Sequence, residues 1–205
     1  MNQTNSLVNF NSVDSATREK LWAELETRIA SGVPFPEPLL PVTQFNIIRA
    51  MFVNAASMGL TKALLGEDIA SDFNIPGPMT LHLPPTLHPS SLQRRIIHHP
   101  WIDLIPICSV RNTLLSNLGN YDEEEFCGDL YGVCSAANEV GLMVWGEAWD
   151  PNAYEVSEQV LRKWDWIWRD CPDLLVTTNY WRRIRGERPL KLPKLGERRV
   201  VEIHD

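Results

Sequence analysis

Apolar residues along this chain recur at helical rather than strand spacing. Leu21, Trp22, Leu25 and Ile29 share one face, and Asp14 or Ser15 ahead of them can cap a helix over 15–31 that Gly32 ends. Phe45, Ile48, Met51, Phe52, Ala55 and Met58 predict a second helix with a broad buried face over 43–65. A short helix over 107–118 stops at Gly119. The run DEEE at 122–125 is a helix first turn, where carboxylates complement the dipole, and the helix continues through Phe126, Leu130 and Val133 to about 140. Residues 141–151 read as partly extended and then turning. A helix over 156–169 carries Leu161, Trp164 and Trp168 on one stripe with Trp166 opposite, and Pro172 opens a last helix over 173–185 that Gly186 stops. The pattern is all-α: about six helices and no strand with a convincing alternation.

Between the helices lie long proline-rich connections. Pro34, Pro36, Pro38 and Pro41 hold one extended, and 66–89 contains IPGP at 75–78 and LPP at 83–85. The expected organisation is a flexible Asn/Ser-rich N-terminus over 1–12, one helical domain over 13–190 and a basic tail over 191–205.

At 205 residues with 44% apolar side chains, the chain suits one soluble domain with a substantial core. Its formal charge is −7, the wrong sign for generic phosphate neutralisation. The charge is uneven, though: residues 1–179 hold 11 Lys/Arg against 22 Asp/Glu, whereas 180–205 hold 8 against 4. Cys108, Cys127, Cys134 and Cys171 show neither C-x-x-C nor a zinc spacing, so they read as reduced thiols of a cytoplasmic or nuclear protein. Nothing approaches the ~18 consecutive apolar residues of a membrane span. Eight tryptophans are the anomaly, each offering a wide apolar surface and an N–H that wants a partner.

Several runs together carry a resemblance: Pro84 and Pro85 with Leu92 and Gln93, HHPWIDLIP over 98–106, Arg111, Asn112 and Leu114, VWGEAWDP over 144–151, Trp164, Cys171 with Pro172, and Asn179, Tyr180 and Trp181. Over about 39–189 the chain resembles a fungal domain of unknown function usually found as the C-terminal half of basic-leucine-zipper (bZIP)-type transcription factors. The resemblance implies a fold more than a chemistry. Such factors carry a basic region and a zipper ahead of this domain. Here Arg18, Lys20 and Arg28 stand among four acidic residues, so no basic helix is expected to fork across a major groove and no direct nucleic-acid binding is expected.

The densest chemistry lies at 93–106. His98 and His99 titrate near neutrality, and Asp103 four or five residues on can reach an imidazole N–H across one helical turn. That contact would fix the tautomer and leave the other nitrogen as a base; Pro100 at a helix start, with His99 on the cap side, suits such a turn. The competing expectation is structural, with Asp103 capping or pairing around a buried Trp101. In the second constellation Glu147 and Asp150 lie beside Trp145 and Trp149. A carboxyl against indole faces would have its pKa raised and become a general acid. The plainer alternative makes the tryptophans core anchors and Asp150 with Pro151 a helix-opening turn. Trp164 reads mainly as core, and Tyr180 as a packing residue able to orient a ligand.

No nucleotide, P-loop, nucleophile-elbow or zincin motif is present, and His82 and His88 are weakly spaced for a metal. No cofactor and no metal are therefore expected. The leading expectation is a pocket for a small apolar or aromatic molecule, with His98, His99, Asp103 and Glu147 as catalytic groups and Trp101, Trp145, Trp149, Trp164 and Tyr180 as its walls. Such a protein would catalyse a cofactor-free cyclisation, isomerisation or dehydration in fungal secondary metabolism. Alternatives are a regulatory or sensor module related to bZIP-type factors, or an interaction module with exposed tryptophans. No membrane association is expected, and a homodimer is open.

Overall fold

In the computed structural model, residues 23, 27, 42–60, 69–74, 82–132 and 140–191 are described. Of the expected first helix only Ala23 and Thr27 fall among them, both helical. The expected N-terminal segment, the connector over 32–41 and the tail beyond Lys191 lie outside the described residues.

The domain is predominantly helical, as the apolar spacing implies. Helix α1 spans Val42–Ser57. It stops short of the expected 65 because Gly59 adopts a φ of 70°. There the Gly59 N–H donates to the Ala56 carbonyl (3.1 Å) and the Leu60 N–H to that of Ala55 (2.9 Å), closing a Schellman turn. Helix α2 is Cys108–Ser116 and α3 is Glu123–Tyr131. Asp122 caps α3 by accepting from the Glu125 N–H at 2.9 Å, and Gly132 ends it in the left-handed region. The expected extension of α3 falls on 133–139, outside the described residues.

Within this helical domain the stretch read as partly extended contributes to a small hairpin over 142–156. Strand β1 (Leu142–Val144) pairs antiparallel with β2 (Tyr154–Val156), Met143 opposite Glu155. Val156 therefore ends a strand and does not begin a helix. Ser157 caps α4 (Glu158–Lys163) through the Val160 N–H. A break at Trp164 then separates α4 from α5 (Asp165–Arg169). Helix α6 (Pro172–Ile184) lies on β2, where Thr178 Oγ1 accepts from the Val156 N–H at 3.0 Å.

The main core joins Ile47 and Ile48 of α1, Ile102, Leu114, Phe126, Leu130, Leu161, Ile167 and Trp168. A second cluster of Ala55, Met58, Phe73, Leu83, Leu87 and Leu104 joins the end of α1 to the described parts of the 69–104 stretch. At Gly141 the chain grazes α3: a Cβ there would sit 2.2 Å from the Asp129 carbonyl oxygen and 2.6 Å from Val160 Cγ2. Because the first obstacle is backbone, Gly141→Ala is expected to cost about 1–3 kcal/mol or more, read as a lowered urea midpoint. A midpoint like that of the parent would mean that the hairpin can slide off α3.

Candidate functional site

The histidine segment folds as a 3₁₀ turn, Pro100–Leu104, with His99 as its cap residue: Nδ1 of His99 accepts from the Trp101 N–H at 3.2 Å. The turn carries Asp103 beneath the ring of His98, five residues back, with Nε2 2.8 Å from Oδ1. Asp103 also accepts from Ser71 Oγ (2.5 Å) and from Gln93 Nε2 (2.6 Å). Nδ1 of His98 is 2.7 Å from the Ile96 carbonyl oxygen, which can only accept, so this nitrogen donates. Both ring nitrogens are thereby committed to protein oxygens, and the expected free nitrogen for a base is taken up. Burial alone would lower the His98 pKa. The hydrogen bond to Asp103 and its charge outweigh that, helped by the Ile96 carbonyl and by Glu123, and the net direction is upward.

The network extends through Gln93 to a residue the spacing argument did not use. Gln93 Oε1 accepts from Arg111 Nε at 2.9 Å and from the Ser90 N–H at 2.9 Å. Arg111, 1% exposed, gives its other donors to the carbonyls of Thr86, Ile105 and His88 at 3.0, 2.5 and 3.1 Å. No carboxylate faces this guanidinium among its hydrogen-bond partners; backbone oxygens and a neutral amide hold it.

The tryptophans divide into two groups. Trp101, Trp164 and Trp168 are buried and meet around Phe126, whose ring centroid lies 5.2–6.2 Å from theirs. Trp164 Nε1 donates to Asp129 Oδ2 at 2.8 Å and Trp168 Nε1 to the Val160 carbonyl at 3.3 Å, so both indoles are satisfied. Trp145, 37% exposed, belongs to a surface group. Its ring stacks on Trp181 (5.9 Å between centroids), has the Arg185 guanidinium 5.0 Å above it, and donates Nε1–H to Glu155 Oε2 at 2.7 Å. Glu155 is fully buried and receives both Arg185 Nη groups at 2.6 and 2.7 Å. Tyr180 sits edge-on to Trp181, outside the cleft described next. Trp149 is exposed, with its carbonyl accepting from Thr86 Oγ1 at 2.6 Å. Asp150 caps the 3₁₀ turn Pro151–Ala153, the plainer of its two expected roles.

A half-open cleft of about 310 Å³ lies between α1 and the start of the hairpin loop. Asn46, Arg49, Ala50 and Val53 form one wall and Val144, Trp145, Gly146, Glu147 and Ala148 the other. Asn54 holds the two walls in register, its Nδ2 donating to the Ala148 and Leu104 carbonyls at 2.8 and 2.9 Å. Of the expected site residues only Trp145 and Glu147 line this cleft. His98, His99, Asp103, Trp101, Trp149, Trp164 and Tyr180 do not. Asn46 and Arg49 were not expected there; the only sequence signal was two polar side chains interrupting the apolar face of α1.

The family model of a domain of unknown function (DUF3425) matches residues 74–173. No curated protein and no solved structure matches the chain. The matched stretch takes in the His98–Asp103 turn, Arg111 and the hairpin wall of the cleft, while the α1 wall lies outside it. Among the described residues no helix is long and apolar enough to cross a membrane.

Proposed function

We propose that this chain is a non-catalytic binding module that takes a small planar aromatic molecule with an anionic end into the cleft between α1 and the hairpin loop. The observation that carries this reading is the state of the cleft's polar groups. The side chains of Asn46, Arg49 and Glu147 line one space and make no hydrogen bond or ion pair within the described residues. The adjacent Trp145 ring, by contrast, is pinned by Glu155, Arg185 and Trp181. An immobilised aromatic wall beside an uncommitted guanidinium, carboxylate and amide is the composition of a recognition site, where a few polar groups fix orientation against a flat surface. Arg49 would take a carboxylate in a bidentate fork and Trp145 would take the ring face.

Proton-transfer chemistry has less support. The histidine with a carboxylate partner spends both nitrogens inside the fold and lines no part of the cleft. The match to a domain of unknown function, together with the resemblance to the domain that accompanies bZIP-type factors, suits a regulatory or sensor role in the cytoplasm or nucleus.

Titration with 2-aminobenzoate, monitored by tryptophan emission and by calorimetry, tests this reading. The parent protein is expected to bind it and return it intact. Arg49→Ala and Trp145→Ala should each weaken binding by about tenfold or more, the scale of one charge-assisted hydrogen bond. Chemical conversion of the probe, or affinity indifferent to both substitutions, would defeat the proposal.

A further inference from the structure

The geometry of α6 points to a second binding surface: its outward face docks a short amphipathic helix of a partner protein, one that carries acidic side chains beside its apolar stripe. Val176, Tyr180 and Ile184, spaced by four, are 69%, 47% and 58% exposed, while Leu174 and Thr178 on the opposite face are buried. Spacing by four puts the three exposed side chains in one continuous row. Apolar side chains scattered singly over a surface are ordinary, but an unbroken row along a helix that is anchored on its other side is a docking face.

The identity of the partner follows from charge. Beyond Ile184 the chain doubles back along α6. Asn179 clamps the Leu190 backbone, accepting from its N–H at 2.6 Å and donating to its carbonyl at 3.0 Å, and Arg182 Nε donates to the Arg188 carbonyl at 2.7 Å. This return runs along the flank of α6 that carries Asn179 and Arg182 and brings Arg188 and Lys191 with it, while Arg183 lies at the row itself, its guanidinium 5.9 Å from the Tyr180 ring centroid. Arg182 and Arg185 are engaged by Glu187 and Glu155. Arg183, Arg188 and Lys191 have no carboxylate partner among the described residues. A chain of net charge −7 thus sets an uncommitted cation, Arg183, against the apolar row and carries two more on the return that adjoins the same helix. A phosphate backbone would suit the cations but leave the row in water. A second copy of α6 would bring to it a single carboxylate, Asp173. An amphipathic acidic helix matches both features, burying the row and pairing the rim.

Fluorescence anisotropy with two labelled synthetic helical peptides tests the assignment. One carries leucines at three-to-four spacing with glutamates elsewhere, and its twin carries lysines in place of the glutamates. The acidic peptide is expected to bind with an affinity that falls as salt rises, and its twin to bind about tenfold more weakly or worse. Val176→Ser with Ile184→Ser, and separately Arg183→Glu, should each weaken the acidic peptide by about tenfold. Their melting curves should stay like the parent's, because these side chains are exposed. Arg49→Ala should bind the peptide normally, which separates this surface from the cleft. The assignment is overturned if the acidic peptide does not bind, if the twin binds equally, or if the variants change nothing. It is equally overturned if sedimentation shows a dimer that the serine pair dissolves, or if duplex DNA binds the same face more tightly than the peptide does.

Discussion

Arg111→Ala is expected to destabilise the fold by about 3–5 kcal/mol, the sum of several lost buried hydrogen bonds. That is a large fraction of the roughly 5–15 kcal/mol by which a domain is stable. The guanidinium is 1% exposed and gives four hydrogen bonds, to Gln93, Thr86, Ile105 and His88. Deleting it strands the buried Ile105 carbonyl and takes a donor from the half-buried carbonyls of Thr86 and His88, at about 1–3 kcal/mol for each group left dry, while Gln93 keeps the Ser90 N–H. The effect is also topological, because Thr86 and His88 belong to the single 3₁₀ turn Pro85–Leu87 and its cap, and Gln93 and Ile105 lie outside every α-helix and strand. Arg111→Lys should recover little, since an ammonium cannot span a fork of donors set by a planar group. Urea unfolding followed by circular dichroism decides it: an alanine variant within about 1 kcal/mol of the parent would show that the connections hold themselves.

The second large effect is expected at Asp103, where substitution by alanine leaves a buried imidazole without its carboxylate and should cost about 3–5 kcal/mol. Asp103→Asn is the sharper probe because it keeps an acceptor and removes the charge. His98 holds its proton more tightly in the folded chain than in the unfolded one. The stabilisation from that proton is therefore complete below the unfolded pKa of about 6.5 and is lost as pH rises through the higher folded value. The difference in stability between the parent and Asp103→Asn should accordingly be largest in mild acid and shrink as the pH is raised. A difference constant across that range would mean that His98 is neutral in the fold.

Much of this architecture can be read from the chain, and the failures share one cause. The caps at Asp122 and Gly132, the last helix stopping ahead of Gly186, and Pro100 opening a turn behind His99 all depend on neighbours a few residues away. The His98–Asp103 contact is of the same kind, with five residues between partners. Strands of three residues are too short to show an alternation, so the sequence marks 141–151 only as partly extended and leaves the second strand inside an expected helix. The hairpin's buried Glu155 is satisfied by Arg185 from thirty residues further on and by the Trp145 indole N–H. Likewise, nothing local distinguishes Trp145 from Trp164. One indole is held at the surface by Glu155 and Trp181, the other is buried against Phe126 with Asp129 at its nitrogen. Ser71 and Arg111 join the histidine network from distant segments, and no local spacing announces either of them.

Whether the ligand site is the α1–hairpin cleft or the histidine turn can be settled by mapping 2-aminobenzoate onto the protein by amide and indole NMR shifts. Shifts are expected at the Trp145 indole N–H, the Asn46 side-chain amide and the backbone from Gly146 to Ala148, with the Gln93 amide and the His98 ring unmoved. Shifts centred on His98 and Gln93, with the cleft silent, would contradict the cleft as the site.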